Sequence, residues 1–237
     1  MTYRFITQVS ESKNLGKVMH INFYSNKTCT YNCVYCGDGP TDHQTLDRKF
    51  LFGARVVIDE IEDYILKEGK PDYIWFTCKG EPTLNLMFGK IVNEIRKSYP
   101  EIKIGTWTNG TLLNREDVCK ELALCDHIIV DLDSVNNDEF QKINRPIISI
   151  KLESLLENIK SFRKNYPGKF WIHTVFLRGY NDSDKNLLGL RKYFEELNPD
   201  QLYISYGLKS SEGPLTDEFK ENFKQRFNDG KFEIKIE

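Results

Sequence analysis

Three cysteines stand close together near the start of the chain, in the segment Cys29-Thr-Tyr-Asn-Cys33-Val-Tyr-Cys36. Iron-sulfur cubanes are normally held by four thiolates, one for each iron, whereas this segment supplies three. One iron would keep a coordination position for a substrate or cosubstrate, as a catalytic metal site requires. The alternatives are a structural zinc site with His43 or Cys78 as fourth ligand, and three cysteines without a common role.

The elements that must position these thiols follow an alternating pattern. Apolar runs suited to strands alternate with segments of helical period, which is typical of parallel sheets built from βα units. Strands are predicted at 17–24, 72–77, 102–108, 127–133, 169–177 and 201–206, and helical faces at 57–65, 87–95, 152–162 and 187–197. A full barrel of eight units takes about 250 residues. The pattern therefore predicts an α/β fold, an open partial (β/α)6 TIM-like barrel with a parallel sheet and outer helices.

Composition limits the partners and the location of the protein. The chain has 33 basic and 35 acidic residues, a net charge of −2, which does not support a nucleic-acid partner. No basic segment precedes an apolar run at the start, and no run reaches the length of a membrane span, so we expect a cytoplasmic protein with no membrane partner. Residues 1–237 are predicted to form one domain. A short helix and edge strand are expected to extend it from about residue 208.

The cysteine segment CTYNCVYC resembles the CxxxCxφC signature of the radical S-adenosylmethionine (SAM) superfamily, with Tyr35 at the aromatic position. Together with GEPTLN, TNGTLL and FQKINRP, it is similar to the small wyosine-synthase-like radical SAM proteins. The resemblance implies that Cys29, Cys33 and Cys36 hold a 4Fe-4S cluster and that SAM chelates the open iron. The reduced cluster would cleave SAM to a 5′-deoxyadenosyl radical, which abstracts hydrogen from a substrate. Tyr35 is implied to lie beside the adenine.

The segment after the second predicted strand, Cys78-Lys79-Gly80-Glu81-Pro82, resembles the GGE motif of the same family. In the family this motif holds the amino group of SAM, and here Gly80 and Glu81 match it. A glycine lets the backbone approach a ligand closely, and a carboxylate suits an ammonium group. Lys79 replaces the first glycine of the motif. Cys78 is either an inert buried thiol or a group that faces the substrate.

Further candidates lie at the ends of the third to fifth predicted strands, where parallel barrels place their active sites. Asn109 is a candidate ligand for SAM or the start of a turn. Asp131 and Asp133 share one strand face, and the resemblance assigns the SAM ribose to this strand, with Asp133 the closer match. Arg145, in KINRP, is a candidate for a carboxylate or phosphate, or a surface ion pair. His173 is a candidate proton donor or acceptor, or a core histidine.

The resemblance also implies a low-potential electron donor, either ferredoxin or flavodoxin. The substrate stays open, with a modified nucleoside or base and a cofactor precursor as the classes considered. A glycyl-radical-enzyme activase acting on a partner protein is the second enzymatic hypothesis. The hypothesis of another class is a non-catalytic zinc or redox-sensing module. No role is assigned to Cys119 or Cys125, which lie apart from the other thiols.

Overall fold

The structure is a computed structural model, and it describes residues 3–207 and 213–236. Its strands are β1 (Ile6–Ser12), β2 (Gly16–Ile21), β3 (Thr28–Cys29), β4 (His43–Gln44), β5 (Tyr73–Phe76), β6 (Lys103–Thr108), β7 (His127–Asp131), β8 (Lys169–Phe176), β9 (Gln201–Tyr206) and β10 (Ile234–Ile236). Its helices are α1 (Ala54–Glu68), α2 (Phe88–Ser98), α3 (Glu116–Leu122), α4 (Asn137–Asn144), α5 (Leu152–Asn165), α6 (Asp184–Leu197) and α7 (Asp217–Phe227).

Eight strands form one sheet in the order β1-β2-β5-β6-β7-β8-β9-β10. Neighbouring strands from β2 to β10 are parallel, and β1 runs antiparallel to β2. Because β1 and β10 stand at opposite ends of this order, the sheet does not close on itself within the described residues. The prediction of an α/β fold with an open, parallel, partial barrel is confirmed.

The six predicted parallel strands all form, although two of them end two or three residues early. The strand predicted at 17–24 ends at Ile21, and the one predicted at 127–133 ends at Asp131. The edge strand predicted at the end of the chain forms as β10, parallel to β9. Strand β1 was not predicted because its sequence, ITQVSES, is mostly polar and only Ile6 is fully buried. The boundary predicted near residue 208 lies outside the described residues.

The sheet buries a different set of side chains on each face, as the period of two requires. Ile74 and Ile104 belong to the main core, which includes the apolar faces of the helices. Trp75 is buried on the opposite, inner face, with Trp107 and Trp171 packed against its cluster. The concave side of the partial barrel is therefore lined with indole rings.

The outer helices follow the predicted apolar spacing. Leu155, Ile159 and Phe162 of α5 are buried, and the N-terminus of α6 is capped by the Ser183 side chain, which accepts a hydrogen bond from the Asn186 amide at 3.1 Å. Within the described ranges, no helix combines the length and apolar character needed to cross a membrane.

Candidate functional site

A cavity of about 350 Å³ lies at the carboxyl ends of the parallel strands, where the cysteine segment crosses the sheet. Parallel barrels place their active sites at this end. Ten of the twelve candidate residues named from the sequence line it: Cys29, Cys33, Tyr35, Cys36, Cys78, Gly80, Glu81, Asn109, Asp131 and His173. Asp133 and Arg145 do not belong to the lining. The fold thus brings together residues from the cysteine segment and from the ends of β5, β6, β7 and β8 around one space.

Amide groups donate hydrogen bonds to two of the three cysteine sulfurs. Asn109 Nδ2 lies 3.5 Å from Cys29 Sγ, and Asn144 Nδ2 lies 3.4 Å from Cys33 Sγ. The backbone N–H of Tyr31 also donates to Cys29 Sγ, at 3.5 Å. Hydrogen bonds of this kind are among the features that set the reduction potential of iron-sulfur clusters.

The donor set of this cavity suits a cluster better than a single metal ion. Within residues 3–207 and 213–236, no three His, Cys, Asp or Glu side chains are grouped so that they could hold one ion. A cubane does not require three ligands to converge on one ion, because each thiolate binds a separate iron. Three thiols around one cavity, two of them with amide N–H donors on their sulfurs, fit a 4Fe-4S cluster with one iron left open.

The surroundings of Cys29 and Cys33 raise the pKa values of both thiols. Burial, reinforced by the charge of Glu81, raises the pKa of Cys29 to about 12. Burial and then the charge of Asp133 raise the pKa of Cys33 well above its usual value. Reactive redox-sensing cysteines have lowered pKa values instead. The pKa shifts of Cys29 and Cys33 are thus opposite in direction to those of a redox-sensing thiol.

The GGE-like segment is joined directly to the cysteine loop. Thr28 N donates to the Lys79 carbonyl at 3.1 Å, and Glu81 N donates to the Thr28 carbonyl at 2.9 Å. Gly80 lies between these bonds with a φ of +121°, a conformation that L side chains rarely adopt. A Cβ at Gly80 would overlap the Thr28 carbonyl oxygen and lie 2.5 Å from its carbonyl carbon. Only glycine allows this approach.

The Glu81 carboxylate is buried and accepts hydrogen bonds from its own segment and from the end of β6. Its Oε1 accepts from the hydroxyls of Thr83 and Thr108 at 2.6 and 2.8 Å, and its Oε2 accepts from Asn109 N at 2.8 Å. Burial raises its pKa, although these donors act in the opposite direction. Glu81 thus links the segment after β5 to the end of β6 while it lines the cavity.

Asp131 is the carboxylate of β7 that faces the cavity. Its Oδ1 accepts from Trp107 Nε1 at 2.9 Å and bonds His173 Nδ1 at 2.7 Å. The opposite ring nitrogen of His173, Nε2, lies 3.0 Å from Ser205 Oγ. Asp131 keeps 28% of its side-chain surface exposed, so it remains open to a ligand.

Asp133, the closer sequence match for a ribose ligand, is buried behind the cavity wall. Its Oδ2 accepts from the Tyr35 hydroxyl at 2.7 Å and from Asn144 Nδ2 at 2.6 Å, and its Oδ1 accepts from Val175 N at 2.8 Å. Burial, and then the charge of Asp131, raise its pKa to about 6. The geometry therefore favours Asp131 over Asp133 for direct contact with a ligand.

Arg145 ends α4 and does not line the cavity. It has a left-handed backbone with a φ of 46°, it is exposed, and its carbonyl accepts from Gln44 Nε2 at 2.8 Å. The residue of the same KINRP segment that reaches the cysteines is Asn144, which sequence reasoning missed. The motif itself was the available signal, since Asn144 is the asparagine of its NRP portion.

Lys27 and Trp107 are among the lining residues that sequence reasoning did not name. Lys27 is buried, and its Nζ donates to the Gly39 carbonyl at 2.6 Å. Among the other thiols, Cys78 lines the cavity and has a pKa raised by burial, whereas Cys119 and Cys125 lie outside the lining. No spacing pattern in the sequence singled out either Lys27 or Trp107.

Comparisons with known proteins match the part of the chain that forms this cavity. The sequence profile of the radical SAM superfamily matches residues 24–190, which contain the whole cavity lining. A UPF0026 protein of Methanocaldococcus jannaschii is 33% identical over 196 residues, which are 82% of this chain and 60% of that protein. The chain thus spans about three fifths of the length of this relative.

Two solved structures show the same fold. A radical SAM methyltransferase from Sphaerobacter thermophilus has a TM-score of 0.71 at 14% identity, covering 97% of this chain and 68% of that one. Archaeal TYW1 has a TM-score of 0.60 at 15% identity, covering 89% of this chain and 71% of that one. At these identities the likeness concerns the fold alone.

Proposed function

Because the chain belongs to the radical SAM superfamily, as its cysteine motif predicted, we propose that it is an enzyme that cleaves SAM reductively to begin radical chemistry on a substrate. The family uses a 4Fe-4S cluster and SAM. The observation that carries the proposal is the joint lining of one cavity by Cys29, Cys33 and Cys36 together with Glu81 and Asp131.

Cys29, Cys33 and Cys36 would hold the cluster through one thiolate each. When bound, the reduced cluster supplies the electron that splits the sulfonium of SAM into methionine and a 5′-deoxyadenosyl radical. The chain holds the thiols in place from outside the loop, through Asn109 and Asn144. Their amide groups also stabilise negative charge on the sulfurs.

The surrounding residues are suited to bind SAM. Gly80 brings the backbone close to the cysteine loop, and the Glu81 carboxylate is a partner for an ammonium group. Asn109 and Asp131 supply polar groups on the adjoining strand ends, and Tyr35 supplies an aromatic ring. In this proposal Asp131 takes the ribose contact. Asp133 holds Tyr35 from behind through its hydroxyl.

The electron donor and the substrate belong to the same proposal. A cluster of this type needs a low-potential reductant, and a ferredoxin or a flavodoxin is the partner class we propose. The substrate is unidentified, and a modified nucleoside or base and a cofactor precursor remain the classes to test. The net charge of −2 gives no support to a large nucleic-acid partner.

Metal analysis followed by a cleavage assay tests the proposal. Protein purified without oxygen is expected to hold about four irons and four acid-labile sulfides per chain. Dithionite with SAM should then release 5′-deoxyadenosine. The variant Cys33→Ala should lose this product, whereas Cys119→Ala, which changes a thiol of α3 outside the cavity, should retain it. One zinc without sulfide, or product from Cys33→Ala at the wild-type rate, would refute the assignment.

A further inference from the structure

We propose that His173 is a positioning residue, which orients the Asp131 carboxylate so that its Oδ2 atom receives a ribose hydroxyl of SAM. The inference rests on the proposed function, since SAM is the ligand concerned. It assigns a role to His173 that acts through Asp131 and requires no direct contact between the imidazole and the ligand.

The two oxygens of Asp131 have different surroundings. Oδ1 is held by Trp107 Nε1 at 2.9 Å and by His173 Nδ1 at 2.7 Å. Oδ2 takes no hydrogen bond from the described part of the chain, although Asp131 lines the cavity. Two donors on one oxygen fix the plane of a carboxylate. The other oxygen is then left as an oriented acceptor at the cavity wall.

The hydrogen-bond inventory determines the tautomer of His173. A carboxylate only accepts, so the proton of a neutral imidazole must be on Nδ1, which faces Asp131. Nε2 is then an acceptor, and the Ser205 hydroxyl donates to it at 3.0 Å. The ring also packs against Trp107 and Tyr203, with centroids at 5.2 and 5.0 Å. Both nitrogens of the imidazole thus have hydrogen-bond partners, and two aromatic rings pack against it.

This network is built on rigid elements. Trp107, Asp131, His173 and Ser205 come from β6, β7, β8 and β9, which are adjacent parallel strands. The register places Asp131 directly opposite His173. Polar groups carried on neighbouring strands of one sheet hold their geometry better than groups on loops.

A second histidine on the same sheet face, His127, has packing contacts only within the ranges that the structure describes and serves as a comparison for His173. His127, also on β7, is fully buried between Trp75 and Trp171, with ring centroids 4.9 and 4.1 Å away. Neither of its ring nitrogens has a hydrogen-bond partner among the described residues. His173 differs from it by having a carboxylate on one nitrogen and a hydroxyl on the other.

The test measures SAM affinity by titration calorimetry on the iron-loaded protein, which needs no turnover. His173→Phe keeps a ring against Trp107 and removes the donor to Asp131, so we expect about tenfold weaker binding. His173→Asn keeps an amide N–H near the position of Nδ1 and should stay within about threefold of the wild type. His127→Phe is the matched control on the same face and should leave the affinity unchanged.

Analogues of SAM lacking the 2′ or the 3′ hydroxyl separate positioning from general packing. If His173 acts through Asp131, His173→Phe should change the affinity for one of these analogues less than about twofold, because the affected bond is already absent. Equal weakening of SAM and both analogues, or no weakening of SAM, would overturn the inference and leave the proposed function standing. Failure of iron-loaded wild-type protein to bind SAM would instead overturn the proposed function.

Discussion

The junction at Gly80 gives the sharpest prediction about how the site is assembled. In Gly80→Ala the new Cβ would overlap the Thr28 carbonyl. The carbonyl belongs to the backbone and the position of Cβ is fixed by the backbone, so neither group can rotate away. An alanine at a φ of +121° is also strained. We therefore expect the segment after β5 to separate from the cysteine loop in this variant.

The magnitude follows from what the junction holds. Two backbone hydrogen bonds join the segments, Thr28 N to the Lys79 carbonyl and Glu81 N to the Thr28 carbonyl, and each contributes about 1 kcal/mol. The left-handed side of φ space costs a non-glycine residue roughly 1–2 kcal/mol. The free energy of unfolding should therefore fall by about 3–4 kcal/mol.

Three measurements check this. Urea denaturation gives the free energy of unfolding, iron analysis gives cluster retention, and amide hydrogen exchange at Thr28 and Glu81 reports the junction itself. Gly53→Ala is the matched control, because Gly53 has a φ of −68° and open space around a Cβ. Gly53 is the N-cap of α1, where alanine is less favourable than glycine, and the lower entropy of the unfolded chain opposes this loss. That variant should therefore change the free energy of unfolding by less than about 1 kcal/mol. Wild-type iron content and unchanged exchange in Gly80→Ala would refute the reasoning.

Two further predictions concern buried polar groups. Burial lowers the pKa of His127 to about 4. Below pH 6.5 the unfolded chain therefore binds a proton that the folded ring does not. We expect the free energy of unfolding to fall by about 3 kcal/mol between pH 6.5 and 4. Urea denaturation should show a smaller loss for His127→Phe, and equal losses would contradict the prediction. Asn144→Ala removes donors to Asp133 and Cys33 and should cost about 2 kcal/mol and lower iron content. The control Asn165→Ala changes an exposed residue and should leave both the free energy of unfolding and the iron content unchanged. Wild-type stability and iron content in Asn144→Ala would contradict the argument.

Most of the fold was predictable from the sequence because local pattern and final burial agree. Strands inside a parallel sheet are buried on both faces, so their sequences are apolar runs that can be recognised directly. Strand β7 is an example, with four successive buried residues. Strand β1 was not predictable by the same rule, since it lies at the sheet edge and exposes polar residues. Its pairing is set by the turn at Gly16, whose φ is +72°.

The site was predictable where a motif fixes both residue type and backbone shape, as at Cys29 and Gly80. Asp131 and Asp133 show where this reasoning ends. Strand periodicity places both aspartates on the same face, but β7 ends at Asp131, so the alternation does not extend to Asp133. The Val175 amide and the α4 residue Asn144 then enclose Asp133. These contacts join segments that are distant in sequence, so no local pattern reports them.

Contacts between segments distant in sequence also determine where the cysteine thiols lie. The cysteine motif identifies these thiols but does not by itself fix their positions. The loop makes few hydrogen bonds of its own, such as Cys36 N to the Cys33 carbonyl at 3.3 Å. Two of its backbone amides are satisfied by another element: Asn32 N and Val34 N donate to carbonyls of the last turn of α4, at 3.0 and 2.9 Å. A helix end leaves such carbonyls without intrahelical partners. The loop thus completes the helix, and the helix in turn sets the path of the loop through Cys33. The spacing of the thiols in space is therefore a property of the assembled sheet and α4, which the eight-residue motif alone does not contain.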